Sequence, residues 1–477
     1  MTSLTGAASP IRPPARPAFG SRRNQLLAVV GIVVIAVVVA AAIRLGRGAE
    51  ALGASAAVLV VLMSFRWPLL PLFLLAALIP FEEAVNIPGV GTLSRYAGLV
   101  LMLTYGLPRL GLPSFRAMSI LGWLYVAWAT LSATWAIDSV TSWTQITPLV
   151  LLLGIGVVTA TAVADRPSIV RPLLWTYSLS AAATGLVGIA NLILAGGVTG
   201  QADRVAALAG QDPAFYAAIL VPALIFGFYE VVGARWLPIT TTIVFVCAVG
   251  IIVSGTRSAW ISSLIVLALF VFPRLDAIRR LAALVVLAIG AIIVAQIPGL
   301  VDLVTDRAAS ALPTGGAGRT DLWTIGVRIF ESSPINGVGI ANFPVANTPE
   351  LARQAPLSNI GASALANFEP HNIAVGTLGE LGIVGFMLLA MFLVPLVLRR
   401  GWGPDGPIIQ TILASLLIVA FFVDMLIRKE LWLFIGIASG LAYLARKERG
   451  ERGAATAAEV EVADRDGQGH RLSSRLR

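Results

Sequence analysis

Three residues of this chain have the types and positions needed for group-transfer chemistry. His371 lies where a polar stretch meets an apolar run, and Arg257 lies at another such boundary, in Ser254-Gly255-Thr256-Arg257. Arg319 precedes a segment with helical periodicity inside the polar stretch. Arginine binds phosphate groups through a planar fork of donors, and histidine can accept a proton near neutral pH. Together these residues predict a site that holds an anion and removes a proton from a hydroxyl group.

The polar stretch, residues 298–371, has local structure that would position Arg319. Thr320 suits an N-cap, apolar residues then recur at helical spacing, and Pro334 would end the helix near Glu331. We expect an amphipathic helix that lies at the outer membrane surface. The positive end of this helix beside Arg319 would bind an anion.

A second predicted helix begins directly after His371. Residues 372–398 are apolar, so the imidazole should lie at the positive end of a membrane helix, which disfavours its protonation. Glu380 follows nine residues later and would point to the opposite face of a regular helix, roughly 13 Å away along the axis. We therefore interpret Glu380 as a packing or pairing residue.

The composition indicates which elements carry these residues. Of the 477 residues, 57% are hydrophobic and 12% are charged, whereas a soluble protein has about 25% charged residues. The apolar segments predict an all-α, polytopic helical membrane protein with about 12–14 transmembrane helices and one large outward-facing loop that contains the amphipathic helix. A single cysteine, Cys247, excludes an intrachain disulfide. The net charge of +9 comes from arginines spread along the chain, which argues against nucleic acid as a partner.

The predicted spans cover most of the chain. They are 26–43, 50–65, 67–80, 93–107, 117–135, 146–164, 169–195, 213–231, 236–253, 257–272, 280–297, 372–398, 408–426 and 430–445. Fourteen spans put both termini on one side, and the positive-inside rule makes that side cytoplasmic, with 23 of the 34 basic residues there.

This topology divides the chain into five regions. They are a disordered cytoplasmic arm (1–25), a membrane bundle (26–297), an outward catalytic loop (298–371), C-terminal membrane helices (372–445) and a disordered cytoplasmic tail (446–477). We expect the protein in the cytoplasmic (inner) membrane, with its site facing outward. Four tryptophans, Trp123, Trp128, Trp135 and Trp143, fit an aromatic belt at the interface.

Several motifs follow one another in an order that resembles a known family. They are Gln211-Asp212-Pro213-Ala214-Phe215-Tyr216-Ala217, Ser254-Gly255-Thr256-Arg257-Ser258-Ala259-Trp260, Arg319 with Trp323, Pro334 with Gly337-Val338-Gly339 and Asn342-Phe343, His371-Asn372, and Gly379-Glu380-Leu381-Gly382. Over roughly residues 200–445 the chain resembles the O-antigen ligase and polymerase superfamily of membrane glycosyltransferases. Asp212 stands where the resemblance leads us to expect asparagine.

The resemblance implies a metal-independent transferase without a cofactor. Its donor would be a glycan linked to a polyprenyl diphosphate, such as undecaprenyl diphosphate, and its acceptor would be a glycan, a lipid or a protein. Membrane lipid would be a further partner. His371 would be the catalytic base, and Arg257 and Arg319 would bind the diphosphate. Ligation and polymerisation of the glycan both stay open.

Other charged residues are weaker candidates. Arg204, Asp424 and Arg428 could support the site, although structural or solvated roles are more frequent for such residues. His371 itself could be an interfacial polar residue, and Arg257 a membrane-surface anchor. No outward pair of aspartates has the spacing of a metal-binding motif, so we predict no metal.

Two other classes of protein remain open. A polytopic transporter or lipid-linked glycan flippase would also be a helical bundle, but such proteins usually show internal repeats and mid-membrane charges. A cell-wall polymerase of the shape, elongation and division type would also have many spans and an outward loop. The ionisable residues here gather toward one face of the predicted bundle, which favours an enzyme at the outer leaflet.

Overall fold

The computed structural model describes two units of very different size. The described residues are 58–82, 86–87, 91–194, 211–233, 235–277, 280–281, 292, 295–296, 299–309, 319–348 and 368–473. Residues 1–66 form the first unit, of which 58–66 are described and are helical. The second unit begins at Trp67 and contains every element named below.

Helices make up nearly all of the described second unit. The α-helices are α1 (Leu70–Leu78), α2 (Leu93–Leu101), α3 (Ile120–Leu131), α4 (Ser139–Asp165), α5 (Val170–Leu194), α6 (Pro213–Val232), α7 (Leu237–Val253), α8 (Arg257–Val266), α9 (Leu300–Ala309), α10 (Arg319–Ser332), α11 (Phe343–Ala346), α12 (Ile373–Leu398), α13 (Gly406–Ala420) and α14 (Lys429–Ser473). Short 3₁₀ or π turns lie at Ile79–Phe81, Met102–Gly106, Leu107–Arg109, Pro113–Ala117, Ser132–Thr134, Pro167–Ile169, Leu267–Val271 and Phe272–Arg274. Two short strands, β1 (Asn86–Ile87) and β2 (Gly91–Thr92), pair antiparallel.

The helices confirm an all-α polytopic membrane protein. Among the described residues, the helices long and apolar enough to cross a membrane are Ser139–Asp165, Pro167–Leu194, Pro213–Val232 and Ile373–Leu398. Shorter apolar helices are Leu70–Phe81, Ile120–Thr134, Leu237–Val253, Arg257–Leu269 and Gly406–Ala420. Each lies on a predicted span. The predicted arm at 1–25, the span at 26–43 and most of the span at 280–297 lie outside the described residues.

Helices α4 and α14 pack closely at the centre of the bundle. Gly436 and Gly440 lie one turn apart on α14, and a Cβ on either would come within 2.7 Å of a carbonyl oxygen of α4, that of Gly156 or Ala160 respectively. Small residues at this spacing allow two membrane helices to approach closely, and van der Waals contacts then stabilise the pair. The position of α14 in turn fixes the connection from α13, residues 421–428, which reaches the candidate site.

An ion-pair network joins helix ends at the side of the bundle that the positive-inside rule assigns to the cytoplasm. Arg171, near the start of α5, donates from Nη1 to Glu230 Oε1 and from Nε to Asp405 Oδ1, each at 2.8 Å. Glu230 lies at the end of α6 and its side chain is 3% exposed. One arginine therefore ties three segments together and neutralises a buried carboxylate.

Helix α12 is interrupted at Gly382. This glycine has φ 65° and ψ −168°, a conformation that is essentially restricted to glycine. A Cβ on Gly382 would come within 3.0 Å of the Ile335 carbonyl, and one on Gly337 would meet the Glu380 carbonyl equally closely. Both glycines are therefore required by the close approach of the segment 334–339 to the break.

The backbone groups near the break are hydrogen-bonded by neighbouring segments. The donors are Val338 N to Gly379 O, Gly339 N to Glu380 O, Ile383 N to Pro334 O, Val384 N to Ile335 O and Trp128 Nε1 to Leu381 O. Unpaired polar groups are costly inside a membrane protein, so these bonds allow α12 to break there. Trp128, which we predicted to lie in an aromatic belt, therefore also donates a hydrogen bond to the broken helix.

Asn342 anchors the same segment to the start of α4. Its Oδ1 accepts from Asp138 N at 2.6 Å, and its Nδ2 donates to the Ser142 hydroxyl at 2.8 Å and to the Ile340 carbonyl at 2.9 Å. Asn342 is fully buried. The motif from Pro334 to Asn342 thus joins the beginning of α4 to the break in α12.

The last helix continues beyond its predicted end. We predicted disorder from residue 446, whereas α14 extends to Ser473. Lys447 and Glu451, and likewise Glu448 and Arg452, lie four residues apart and form ion pairs at 4.0 and 3.9 Å. Such pairs, with the alanines and glutamates that follow, favour a helix.

Candidate functional site

Several of the described helices begin at the end of the bundle where the predicted site residues lie. Thr256, the N-cap of α8, donates its hydroxyl to the carbonyl of the first residue of α6 at 3.1 Å. Arg428, just before α14, lies over the ring of Phe215 in the first turn of α6, 4.2 Å from the centroid. His371, before α12, is close enough to Asp212, the N-cap of α6, for their charges to interact. The positive ends of α6, α8, α12 and α14 meet here, which favours a bound anion.

His371 lies outside α12 in a strained conformation. Its φ is 46°, in the left-handed region that residues other than glycine seldom adopt. Asn372 is the N-cap of α12, since its Oδ1 accepts from the amides of Ala374 and Val375 at 2.9 and 3.1 Å. Strain of this kind, about 1–3 kcal/mol, concentrates at functional sites. The backbone therefore holds His371 in a defined position before the helix.

The environment of His371 favours the neutral imidazole. Its side chain is partly buried, and burial followed by the charge of Arg319 lowers the pKa of His371, while Asp424 and Asp212 act in the opposite direction. No hydrogen bond to the ring occurs among the described residues. The ring can thus accept a proton over a wider pH range than an exposed histidine.

Helix α10 carries Arg319 as its first residue. Its last residue, Ser332, agrees with the predicted end near Glu331, but Thr320 lies inside the helix rather than at its N-cap. Trp323 packs on Phe421 and Phe422, with ring centroids 5.6 and 6.1 Å apart. Both phenylalanines directly follow α13, so this contact brings the start of α10 against the connection 421–428.

The apolar face of α10 packs against the protein. Leu322, Ile325 and Ile329 are buried with Phe343, whereas Val327 on the other side is 51% exposed. We predicted an amphipathic helix at the outer membrane surface. The structure shows that much of the apolar face of this helix is covered by α11 and α12, so Arg319 is held by a packed helix.

Arg257 follows a tight turn between α7 and α8. Gly255 has φ 62°, and the hydroxyl of Ser254 accepts from Thr256 N at 3.1 Å. Arg257 is half-buried and is the first residue of α8. The bond from Thr256 to the start of α6 places Arg257 at the same end of the bundle as His371.

The predicted supporting residues have different surroundings. Burial raises the pKa of Asp424, and the Glu369 charge adds to the effect. Arg428 donates to Glu430 Oε1 at 3.2 Å, and the Glu430 side chain is 0% exposed. Arg428 thus neutralises a buried carboxylate. Arg204 lies outside the described residues.

A cavity of about 110 Å³ lies beside His371. Pro370 and Asn372, the two chain neighbours of His371, both line it, together with Asp424 and Glu380. By the liquid volume of water, about 30 Å³ per molecule, this space holds three or four waters. A small polar group can therefore enter beside the two chain neighbours of His371.

Glu380 lies in the wall of this cavity. We predicted a packing or pairing role for it, because it would point to the opposite face from His371 if both residues shared one regular helix. His371 lies before the helix at a positive φ, so the two residues do not share one regular helix. The Glu380 carboxylate accepts from Phe343 N at 3.2 Å. The motif Gly379-Glu380-Leu381-Gly382 does not by itself indicate that Glu380 lines a cavity.

Tyr125 is a further cavity residue that the sequence did not single out. It lies on α3, far from the motifs in the chain, and it is fully buried. Among the described residues, no group of three or more His, Cys, Asp or Glu side chains is arranged to hold a metal ion.

Comparison with known proteins gives a match to a family model over part of the chain. Residues 242–390 match the family model described as O-antigen ligase. The matched part contains Arg257, Arg319 and His371, and it is shorter than the predicted resemblance over 200–445. No curated protein matches the chain.

Proposed function

We propose that this chain, whose residues 242–390 match the O-antigen ligase family model, is a membrane glycosyltransferase that uses a polyprenyl-diphosphate-linked glycan as donor. One observation carries the proposal. The positive ends of four helices and two arginines, Arg257 and Arg319, lie at the same end of the bundle as His371. Transfer from a lipid diphosphate requires a site that binds the anionic leaving group and a residue that accepts the proton of the acceptor.

The reaction we propose is a single displacement. The acceptor hydroxyl oxygen attacks the anomeric carbon, and the bond from that carbon to the diphosphate oxygen breaks with its electron pair. The hydroxyl proton passes to His371, and the diphosphate leaves bound to the arginines. The anomeric configuration is inverted, and no metal is needed.

The magnitudes of these effects suit the proposed roles. General-base assistance contributes about 10²–10⁴-fold to a rate. A hydrogen bond to a charged group contributes about 1.5–3 kcal/mol, and it accelerates the reaction only where the charge grows in the transition state. Charge accumulates on the departing diphosphate, so Arg257 and Arg319 would stabilise the transition state more than the bound donor.

A transfer assay with purified protein tests the role of His371. The donor is lipid-linked glycan extracted from a strain that lacks this gene. His371→Gln keeps hydrogen bonding but accepts no proton, so turnover should fall at least about 100-fold with donor affinity nearly unchanged. Near-normal turnover of His371→Gln would refute the general-base role, and a parallel loss of donor affinity would assign His371 to the diphosphate site.

The arginines have a matched control on the same helix. Arg328 on α10 is 51% exposed and pairs with Glu331 at 2.9 Å. Arg319→Ala should weaken donor binding, whereas Arg328→Ala should not. Equal donor affinity in Arg319→Ala, Arg257→Ala and the wild type would contradict the proposed diphosphate site.

The outward orientation of the site can be tested by labelling. The chain has one cysteine, Cys247, which is fully buried. A Glu350→Cys variant should react with a membrane-impermeant maleimide at the outer face of intact cytoplasmic membranes. Labelling only after this membrane is permeabilised would reverse the proposed topology.

Deleting the gene separates ligation from polymerisation. If the protein ligates glycan, long glycan should accumulate on its carrier lipid. If it polymerises glycan, the chain length should be lost instead.

The break in α12 is the observation that most favours a transporter, because interrupted helices often bind ions there. In this chain the carbonyls of Gly379, Glu380 and Leu381 already accept hydrogen bonds from Val338, Gly339 and Trp128. This pairing supports a structural junction over an ion site.

A further inference from the structure

The cavity beside His371 has a lining that the proposed chemistry of the donor does not explain. Three carboxyl groups, those of Glu369, Glu380 and Asp424, line it with the Tyr125 hydroxyl and the Asn372 amide. None of the described lining residues is a lysine, arginine or histidine. An anion placed there would meet three carboxyl groups and no cationic lining side chain, which is unfavourable.

Two polar groups of the lining are unpartnered. Asn372 is 2% exposed, and its Oδ1 is used in capping α12, which leaves its Nδ2 without a hydrogen-bond partner. Tyr125 is 0% exposed; its hydroxyl lies near Thr377 but makes no hydrogen bond of acceptable geometry. Nearly all buried polar groups in proteins are paired, so two unpaired groups in one cavity wall indicate a missing polar partner.

We propose that this cavity receives the attacking hydroxyl end of the acceptor, and that it favours a neutral or amino sugar over an anionic one. The inference rests on the proposed glycosyltransferase function and specifies its acceptor. Sugar hydroxyl groups both donate and accept, so they can pair the carboxyl oxygens, the Asn372 amide and the Tyr125 hydroxyl together. A hydroxyl entering here lies beside Pro370 and Asn372, the chain neighbours of His371, and His371 takes its proton.

The position of the cavity separates the two substrates by charge. The arginines and helix ends attract the diphosphate of the donor, while the lining of the cavity offers an anion no cation. An anionic acceptor would therefore be drawn to the donor site, whereas a neutral hydroxyl-rich acceptor binds in the cavity without this competition. Glu369 lies exposed at the rim and is the group through which the charge preference can be altered.

The experiment measures transfer of the lipid-linked glycan to the acceptor fraction of membranes from the gene-deletion strain. Octyl glucoside, octyl glucosaminide and octyl glucuronide, below their micellar concentrations, are added as competitors. The glucoside and glucosaminide should inhibit transfer, and the glucuronide should be at least about tenfold weaker. Equal or stronger inhibition by the glucuronide, or no inhibition by any of the three, would overturn the proposal.

Two pairs of variants link this selectivity to the cavity. Tyr125→Phe should raise the acceptor KM about 3- to 10-fold at unchanged donor KM. The control Tyr177→Phe removes a buried hydroxyl that donates to Ile219 O, and it should leave the acceptor KM unchanged. Glu369→Lys should strengthen inhibition by the glucuronide, whereas Glu331→Lys, on the exposed side of α10, should not.

The results separate failure of this inference from failure of the proposed function. Because Tyr125→Phe removes an unpaired buried group, a purely structural role predicts equal or higher stability with unchanged kinetics. Unchanged acceptor KM in Tyr125→Phe would thus refute the subsite while transfer itself continues. Absence of any transfer by the wild type would refute the glycosyltransferase function instead.

Discussion

Gly382→Ala should disrupt the junction that supports the site. The backbone conformation of Gly382, φ 65° and ψ −168°, costs a residue with a Cβ about 1–3 kcal/mol. The added methyl group would also overlap the Ile335 carbonyl, and overpacking of this kind costs about 1–3 kcal/mol more. The expected loss of stability is therefore about 2–6 kcal/mol. Because the break lies in the helix that follows His371, turnover should fall as well.

Gly401→Ala is the matched control for the backbone contribution. Gly401 has φ 87°, but a Cβ there would meet nothing within 4 Å. Gly401→Ala should lose only the stability that the backbone conformation costs, about 1–3 kcal/mol, and should keep its turnover. Stability is measured as the temperature at which the detergent-solubilised protein no longer elutes as a single peak in size-exclusion chromatography. Activity is measured as the transfer rate at low temperature.

A second variant tests whether the two glycines act at one contact. Gly337→Ala should resemble Gly382→Ala, because its Cβ would meet the Glu380 carbonyl. The double variant should be less unstable than the two separate losses imply, since the first methyl group already separates the segments. If Gly382→Ala is as stable and as active as Gly401→Ala, the close approach of the segment 334–339 to the break does not support the site. If the stability losses of Gly337→Ala and Gly382→Ala add in the double variant, the two glycines do not act at one contact.

Two further predictions concern charge. His371 must be neutral to act as a general base. Because its pKa is lowered, activity should persist below pH 6.5 and fall as the pH drops through the lowered pKa. In a pH–rate profile, Arg319→Ala should move this fall in activity to higher pH. An unmoved profile would contradict the effect of Arg319 on His371. Arg171→Met should lower the free energy of unfolding by about 2 kcal/mol or more, because it leaves Glu230 buried without its partner. Arg328→Met should change the free energy of unfolding by less than about 1 kcal/mol. Equal melting temperatures for these two variants would contradict the structural role of Arg171.

The sequence was sufficient to predict the elements that depend on local properties. Apolar length predicts the membrane helices, and periodicity ended by Pro334 predicts α10 almost to its last residue. The N-cap at Asn372 agrees with the predicted start of the helix after His371. In each case the signal lies within a few residues of the feature it predicts.

The features that the sequence missed depend on residues far apart in the chain. The apolar pattern of α12 continues through Gly382, so periodicity shows no break, and the partners of the break lie more than 40 residues earlier. The cavity needs α3, α12 and the connection 421–428 together, and the positive φ of His371 leaves no pattern in the sequence. The tail was misjudged for another reason: low hydrophobicity predicts disorder, but its alanines and charge pairs favour a helix.

The pairing of the polar stretch with the broken helix explains how Arg319 and His371 come together. Helix α10 ends at Ser332, and the paired segment that begins at Pro334 holds this end against α12. Nearer its start, Gly326 packs so closely on Val375 that a Cβ there would meet the valine side chain. The first residue of α10 is thereby fixed relative to the first turn of α12, directly after His371. The distance between arginine and histidine is thus set by glycine contacts that touch no substrate, so variants at these glycines should lose turnover without changing the chemistry of the site.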